Sequence, residues 1–327
     1  MQIPPPEQLW MLATGYFLPR CLHIVAELGV ADQVGEEPVT ADQIAACSGA
    51  DASTLERMLR LLAVAGVFEA HGNAWAHTEL SALLRSDHPQ TMRPFVMMIG
   101  SALNWAAAGE LGYAARTGHP AIDKIAPEGL WGYYRQHAEE ARIFDAAMTA
   151  KSSAEIAALI PAFDFTPYGT IADIGGGRGH ILAAVLAAAP KAKGILFDLP
   201  QVISSVEPSD RVELRAGDFF RDTLPSADAY LLGNVLHDWG HPEAIAVLRS
   251  IRAAAHARSE LLVLECILPE GTGPHLAKVL DIIMLSATGG RERTQRDYEA
   301  LLASGGFRLQ RVVPTASPVS VLVANPV

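Results

Sequence analysis

The sequence has few cysteines. Its 327 residues include three, Cys21, Cys47 and Cys266, which lie far apart and show no Cys-x-x-Cys spacing. A disulfide framework or a cysteine-based zinc site needs more cysteines at closer spacing. The sequence therefore argues against both kinds of site and predicts a protein of the reducing cytoplasm.

Long apolar runs and an excess of positive charge are also missing. The longest apolar runs, such as residues 181–189, are about half of the roughly 18 residues that a membrane span needs. The first ten residues contain no basic segment followed by an apolar one, so no secretory signal is expected. Lys and Arg number 25 against 36 Asp and Glu, and this net charge of −11 disfavours a nucleic-acid partner.

Strands and helices alternate from about residue 168 onward. The predicted strands are 170–174, 194–197, 212–214, 229–232 and 261–264, with helices at 181–189 and near 243–255. This alternation predicts an α/β fold with a doubly wound parallel sheet. The last two strands, 308–313 and 319–324, are joined by a short connection, which requires an antiparallel pair.

The first 95 residues predict a helical domain that ends in a β-hairpin. Thr40 is placed to cap a helix that ends at Gly49, a second helix follows over about 53–65, and a polar turn at 71–73 joins two short strands. This order is typical of a winged helix, which serves either for DNA binding or as a dimerisation or packing module. The region carries five basic and eleven acidic residues, a balance of −6, which disfavours DNA binding and favours a dimerisation or packing module.

Residues from about 95 to 150 are helical in pattern and rich in large, soft side chains. These are Met97, Met98, Trp105, Tyr113, Trp131, Tyr133, Tyr134, Phe144 and Met148. Such residues usually form ordinary core, but methionine and aromatic side chains also suit a pocket for a flat aromatic ligand. The pattern leaves both interpretations open.

A glycine loop follows the first strand of the predicted sheet. Residues 173–180 are DIGGGRGH, and a helix follows them. A dinucleotide-binding fingerprint would need glycine or alanine in place of His180, and the loop lacks the Gly-Lys-Ser/Thr ending of a phosphate-binding loop. The remaining pattern, Asp-x-Gly-x-Gly-x-Gly, resembles the S-adenosylmethionine (AdoMet) loop of class I methyltransferases. Asp173, before the glycines, suits a ligand with a cationic amino group.

Two further acids follow the next two strands. Asp198 ends the second strand, where a carboxylate in a doubly wound fold can accept hydrogen bonds from both ribose hydroxyls. Asp218 ends the third strand and is followed by Phe219. A carboxylate there can accept from an adenine amino group while the aromatic ring packs on the base. Acids at strand ends are often only helix caps, but three in succession after a glycine loop favour a cofactor site.

A histidine and two glutamates form the predicted catalytic group. The fourth strand is followed by NVLHDW, which places His237 at the carboxyl edge of the sheet, while Glu265 ends the fifth strand and Glu292 lies in a polar turn. Each glutamate could hold one imidazole nitrogen so that the other nitrogen acts as a base. His241 lies four residues after His237, but glycine and proline flank it and no third ligand has matching spacing, so no metal is expected. No Gly-x-Ser-x-Gly elbow supports serine hydrolysis.

Six motifs in this order resemble one enzyme family. They are DIGGGRGH, FDLPQVI, GDFF, LHDW, LECILPEG and DIIMLSATGGRERT. The chain is similar to O-methyltransferases of the caffeic-acid and flavonoid type, whose bacterial relatives modify polyketides and other secondary metabolites. The resemblance implies a class I methyltransferase fold, a homodimer whose N-terminal domains interlock, AdoMet as the donor with S-adenosylhomocysteine as product, and a small hydroxylated aromatic acceptor.

The resemblance also implies domain boundaries and site residues. The expected parts are a winged-helix dimerisation domain over 1–95, a helical linker and pocket segment over 96–155 and an AdoMet-binding catalytic domain over 156–327. His237 matches the general base, and Glu265 and Glu292 match the two acids that orient it. The expected cofactor contacts are Ser152, Asp173, Gly175, Gly177, Asp198, Asp218 and Phe219, and the expected acceptor contacts are Met148, Trp239 and Met284.

One position departs from the plant pattern. A lysine that holds the cofactor's carboxylate is expected four residues before the histidine, and Gly233 stands there. Arg178 or Arg142 is a candidate replacement. Two alternatives to methyl transfer are a repurposed relative that binds AdoMet and acts as a decarboxylase, a hydroxylase or a ligand-binding protein, and a winged-helix regulator. The presence of His237 and both glutamates weighs against the first, and the acidic N-terminal region weighs against the second.

Overall fold

The computed structural model describes residues 3–327, and these residues divide into two units. The first unit holds the residues up to Trp105 together with Tyr134–Lys151, and the second holds Ala106–Tyr133 and Ser152–Val327. The middle helical region is therefore shared between the units along the chain. The predicted three-part division at residues 95 and 155 stays a prediction.

The first unit begins with helices and a small antiparallel sheet. In chain order its elements are α1 (Pro5–Thr14), α2 (Phe17–Glu27), β1 (Val39–Thr40), α3 (Ala41–Ser48), α4 (Ala52–Val64), β2 (Phe68–His71), β3 (Ala74–His77), α5 (Glu79–Ala82) and α6 (Arg93–Ile99). The strands pair in the order β1-β3-β2. Two helices followed by a hairpin are the winged-helix order that the sequence predicts.

Capping residues fix the helix ends in this unit. The Thr40 hydroxyl accepts from the amide of Gln43, the Gln43 side chain accepts from the amide of Thr40, and α3 ends at Gly49 with a φ of 72°. Asp51 caps α4 by accepting from the Thr54 amide at 2.8 Å. Both helices bury one apolar face in the core of the unit. That core includes Val30, Ile44, Leu55, Leu59, Leu62, Phe68 and Trp75.

The first two helices expose apolar side chains. These are Leu9, Trp10, Met11, Leu12, Tyr16 and Phe17. Pro5–Glu27 is also the one stretch of the described residues that is long and apolar enough to cross a membrane, judged by length and composition alone. Polar residues interrupt this stretch, so it does not stand out as an unbroken apolar run in the sequence. The expectation of no membrane partner stays a prediction.

Further helices lead into the second unit. They are α7 (Ala102–Gly109), α8 (Leu111–Thr117), α9 (Gly129–Gln136) and α10 (Ala138–Ala162). The units divide within α7, α9 and α10. The helical pattern predicted for this region is confirmed.

A seven-stranded sheet forms the centre of the second unit. Its elements are β4 (Thr170–Ile174), α11 (His180–Ala188), β5 (Lys193–Asp198), α12 (Pro200–Ile203), β6 (Val212–Ala216), β7 (Ala229–Gly233), α13 (His241–Ala254), β8 (Glu260–Cys266), α14 (Leu276–Ala287), α15 (Gln295–Ser304), β9 (Phe307–Pro314) and β10 (Val319–Pro326). The strand order is β6-β5-β4-β7-β8-β10-β9. Strands β4 to β8 pair in parallel, and β10 pairs antiparallel with both β8 and β9, as predicted.

The central strands are apolar on both faces because both faces are covered. In β7, Tyr230 and Leu232 join one buried cluster, while Ala229 and Leu231 join the other on the opposite face. This alternation follows from the two-residue period of a strand. The chain order reverses between β4 and β7, and in doubly wound folds ligands bind at the carboxyl ends of the strands at such a point.

Candidate active site

The glycine loop after β4 requires glycine at two successive positions. Gly175 has a φ of 71°, and a Cβ there would lie 3.1 Å from Val235 Cγ2 and 3.5 Å from Phe219 Cε1. A Cβ on Gly176 would overlap the carboxyl group of Asp173. The loop backbone therefore lies close to the segment after β7 and to the aromatic turn after β6. Such a loop lets a ligand approach the main chain closely.

Asp173 lies beneath this loop. Its side chain is 1% exposed. Burial, together with the nearby charge of Asp198, raises the pKa of Asp173 to about 7. The carboxyl group below Gly176 therefore holds its proton up to about neutral pH in the protein without a ligand.

Asp198 joins the end of β5 to the glycine loop. Its Oδ2 accepts from the Gly177 amide at 2.8 Å, and its Oδ1 accepts from the Leu199 amide at 2.7 Å. Burial raises the pKa of Asp198. The two amides hold the carboxylate in one orientation at the edge of the sheet.

The turn after β6 presents an acid and a group of aromatic rings. Asp218 Oδ1 accepts from the Phe220 amide at 2.9 Å. The ring of Trp239 meets those of Phe219 and Phe220 edge-on, with centroid distances of 6.1 and 4.8 Å. Trp239, predicted to contact the acceptor, therefore packs against the aromatic turn that is predicted to hold the cofactor.

His237 and both predicted glutamates come together after β7. His237 Nδ1 lies 2.9 Å from Glu292 Oε1 and 3.4 Å from Glu265 Oε2, and its backbone amide donates to Glu265 Oε1 at 3.2 Å. Nε2 lies 3.7 Å from Asp238 Oδ1. The histidine and both glutamates are buried. Both carboxylates thus meet the same ring nitrogen, a geometry that holds Nδ1–H as a donor and makes Nε2 the accepting nitrogen.

Residues 290–292 contact the turn that carries His237, residues 236–239 (the histidine turn). The Arg291 amide donates to the His237 carbonyl at 2.8 Å. Gly290 passes so close that a Cβ there would overlap the same carbonyl oxygen. Asp281 on α14 accepts from the Glu292 amide at 2.9 Å and fixes the segment that carries this glutamate. Neither Gly290 nor Asp281 was predicted as a site residue, although the Gly289-Gly290 pair is a sequence signal for a close backbone approach.

The His237 cluster has the composition of some metal sites. One ligand atom from each of His237, Glu265 and Glu292 lies within 4.8 Å of the others. The spacing of Nδ1 and Glu292 Oε1 is that of a charge-assisted hydrogen bond, so this ring nitrogen has a partner without an ion. The expectation of no metal stays a prediction.

The predicted acceptor methionines lie on two helices. Met148 is on α10 in the first unit, and Ser152, one turn later, begins the second unit on the same helix. Met284 is on α14, with its sulfur 3.9 Å from the Thr288 hydroxyl. These contacts leave the predicted roles of all three residues as predictions.

Gly233, which replaces the expected lysine, is the last residue of β7. Asn234 follows with a φ of 54°, the one positive φ of a non-glycine residue in the described chain. Its side-chain Nδ2 donates to Glu155 Oε2 on α10 at 2.9 Å. Arg178 and Arg142, the predicted replacements for the lysine, are both exposed, and their roles stay predictions.

The doubly wound sheet, its antiparallel last pair and the glycine loop together define a class I methyltransferase. Comparison with known families agrees: residues 109–308 match the O-methyltransferase domain, and residues 10–87 match the O-methyltransferase dimerisation domain. The chain belongs to the O-methyltransferase family.

Individual relatives support this assignment over the whole chain. A phenazine O-methyltransferase of Lysobacter antibioticus is 38% identical, over 99% of this chain and 97% of that protein. An 8-amino-8-demethylriboflavin N,N-dimethyltransferase of Streptomyces davaonensis is 37% identical, over 92% of this chain and 90% of that protein. The crystal structure of CalO1, a methyltransferase of calicheamicin biosynthesis with S-adenosylhomocysteine bound, is 34% identical, has a TM-score of 0.90 and covers 100% of both chains. These relatives do not favour the repurposed alternative.

Proposed function

We propose that this O-methyltransferase moves the methyl group of AdoMet to a hydroxyl of a small aromatic metabolite, with His237 as the general base. The observation that carries the proposal is the 2.9 Å contact between His237 Nδ1 and Glu292 Oε1. This contact lies at the carboxyl edge of the sheet, where the glycine loop also lies. Val235, two residues before the histidine, packs toward Gly175, so the base and the loop share one edge of the sheet.

The residues of the loop region fit AdoMet. Asp198, oriented by the Gly177 and Leu199 amides, would accept the ribose hydroxyls. Asp218 and Phe219 would hold the adenine, and the charge of Asp173 would favour the cationic methionyl end. Ser152 is proposed as a polar contact by family match. The S-adenosylhomocysteine bound to CalO1 supports the same cofactor here.

The protein has two tasks in this reaction. AdoMet supplies a methyl group already activated on a sulfonium, so the chain needs to place the acceptor and remove its proton. A phenol with a pKa near 10 is mostly protonated at neutral pH, whereas an imidazole of ordinary pKa near 6.5 is mostly neutral and can accept. His237 takes the proton at Nε2, while Glu292 and Glu265 at Nδ1 stabilise the imidazolium that forms.

The acceptor is proposed to be a flat hydroxylated aromatic of one to three rings. Met148, Met284 and Trp239 are its proposed neighbours, because methionine and aromatic side chains adapt to flat ligands. A structure with a bound acceptor would test this. Placement of the ligand away from both methionines would refute it.

The working assembly is proposed to be a homodimer. The match to a dimerisation domain and the exposed apolar side chains of α1 and α2 support it. Light scattering at micromolar concentration should give the mass of two chains. A monomer, or salt-sensitive binding to duplex DNA, would overturn this part of the proposal.

Matched acceptor pairs test the reaction. The protein is incubated with methyl-labelled AdoMet and either 1-hydroxyphenazine or 1-aminophenazine, and then with 1-naphthol or 1-naphthylamine, and products are identified by mass spectrometry. We expect transfer to oxygen in at least one pair. Transfer to the amines alone would replace the proposal by N-methylation, which the riboflavin-type relative makes a necessary control.

A further inference from the structure

Arg293 is the largest side chain that is fully buried in the described chain, and it follows directly after Glu292. Its Nη1 donates to the Leu236 carbonyl at 2.7 Å, and its Nη2 donates to the Trp239 carbonyl at 2.8 Å. These carbonyls stand one residue before and two residues after His237. The two terminal nitrogens of one guanidinium therefore hydrogen-bond to both ends of the turn that carries His237.

Only an arginine makes this pair of contacts. Its planar fork presents two nitrogens in a fixed geometry, whereas a lysine presents a single point of charge. The neighbouring Arg291 amide bonds the carbonyl of His237 itself. Three of the four backbone carbonyls from residue 236 to residue 239 are thus bonded by residues 291–293.

The charge of Arg293 acts on the same buried hydroxyl as the charges of Glu265 and Glu292. This hydroxyl, that of Tyr298 on α15, is fully buried. Burial first, and then the negative charges of Glu265 and Glu292, raise the pKa of Tyr298 well above its ordinary value, while the charge of Arg293 opposes them. The charges of both glutamates and of Arg293 therefore all affect the ionisation of the Tyr298 hydroxyl. Two buried carboxylates without a cation would be costly, and Arg293 offsets one of them.

We propose that Arg293 is a positioning residue for His237: its guanidinium fixes the histidine turn through the Leu236 and Trp239 carbonyls, and its charge offsets one of the two buried glutamates. The two carboxylates and the guanidinium then carry a net charge of −1, which is balanced when the imidazole receives its proton. This inference deepens the proposed function and rests on it for its effect on turnover.

Three variants separate a positioning role from a structural one. Arg293→Gln removes the charge and the fork, and Arg293→Lys keeps the charge without the fork. Arg211→Gln is the matched control, because Arg211 also bonds backbone carbonyls, those of Leu186 and Ala192 at 2.9 and 3.3 Å, but at the end of α11. Melting temperature is measured for each protein.

The first readout needs no acceptor. The His237 imidazole is titrated by NMR in the full chain, with its signal assigned by its loss in His237→Gln. Asp238, Glu265 and Glu292 lie within 3.7 Å of the ring nitrogens. Arg293 bonds the turn that carries the ring, and the Tyr298 hydroxyl responds to the charges of Arg293 and both glutamates. Loss of a nearby positive charge favours the imidazolium, so the pKa of His237 should rise by about one unit in Arg293→Gln and by less than half of that in Arg293→Lys.

The second readout is turnover with a methyl acceptor found in the matched pairs, alongside AdoMet affinity by calorimetry. Both Arg293 variants should lose at least tenfold in kcat with AdoMet affinity within threefold of the parent, while Arg211→Gln changes only the melting temperature. If Arg293→Gln does not fold, Arg293→Lys carries the test through its kcat.

Parent-like titration of His237 in folded Arg293→Gln, or parent-like kcat in Arg293→Lys, overturns the proposal. A kcat loss equal to that of Arg211→Gln overturns it as well. If His237→Gln keeps parental turnover, the proposed function fails, and the NMR titration still decides whether Arg293 sets the charge of the histidine.

Discussion

The carboxylate of Asp198 accepts a hydrogen bond from the Gly177 amide at 2.8 Å, which joins the end of β5 to the glycine loop after β4. The same carboxylate is the proposed partner of the AdoMet ribose. Asp198→Ala should weaken AdoMet binding by about 1.5–3 kcal/mol, the scale of hydrogen bonds to a charged group. Calorimetry with Asp164→Ala as control tests this, because Asp164 also accepts from a backbone amide but on an exposed turn. Equal affinities in parent and Asp198→Ala would remove the ribose assignment.

His237→Gln should lower kcat by about 10²–10⁴-fold, the usual contribution of a general base, and leave AdoMet binding nearly unchanged. Glu292→Gln should cause a smaller loss, because the carboxylate orients the imidazole and takes no proton. His256→Gln is the matched control, since His256 also lies beside a carboxylate, 3.3 Å from Asp228, but at the surface. Turnover of His237→Gln within threefold of the parent would contradict the general-base role of His237. Catalysis would then come from placement of the acceptor against AdoMet alone. Chelation by EDTA should change none of these rates.

Gly290→Ala should lower kcat without weakening AdoMet binding. An added Cβ would overlap the His237 carbonyl, so the histidine turn must shift. Overpacking of this kind costs about 1–3 kcal/mol of stability, and a displacement of roughly 1 Å can cost about 10²-fold in rate. We expect at least tenfold lower kcat with AdoMet affinity within threefold. Gly271→Ala is the control, because nothing lies within 4 Å of a Cβ there. Identical kcat in the two variants would show that the turn tolerates the shift.

Local pattern predicted the strands of the sheet well. Every strand from β4 to β10 lies within two residues of its predicted bounds, because each is a short apolar or alternating run between turn residues. The two ends of α3 were also predicted from single residues. Few residue types can accept a hydrogen bond at a helix N-cap, as Thr40 does, or adopt the left-handed conformation at its C-terminal end, as Gly49 does.

Contacts between distant segments could not be predicted in the same way. The sequence suggested that the glutamates hold His237, but the meeting of both on Nδ1 depends on how β8 and the 289–294 segment pack against the turn after β7. The burial of Arg293 was not predicted, because a charged residue in a polar run normally indicates a solvated surface. Tertiary packing buries this side chain instead. Asp173 suggested a ligand contact, and its place beneath Gly176 appears only in three dimensions.

Asp173 predicts a specific dependence of stability on pH. Burial raises its pKa from an ordinary value of 3.8 to about 7 in the folded protein. Between these values the folded state binds more protons at this site than the unfolded state, so the free energy of unfolding falls as pH rises, by at most about 1.4 kcal/mol per pH unit. The raised pKa of Asp198 acts in the same direction.

Asp173→Asn cannot ionise, and it should therefore lose stability less steeply than the parent between pH 5 and 7. Urea unfolding of the protein without AdoMet, repeated across that range, measures both slopes. Because other groups titrate in both proteins, the difference between the slopes isolates Asp173. Asp210→Asn, at an exposed position, should keep the parental slope. If Asp173→Asn and the parent have the same slope, Asp173 is already ionised in the folded protein, and a cation or a hydrogen-bond donor must then lie beside it.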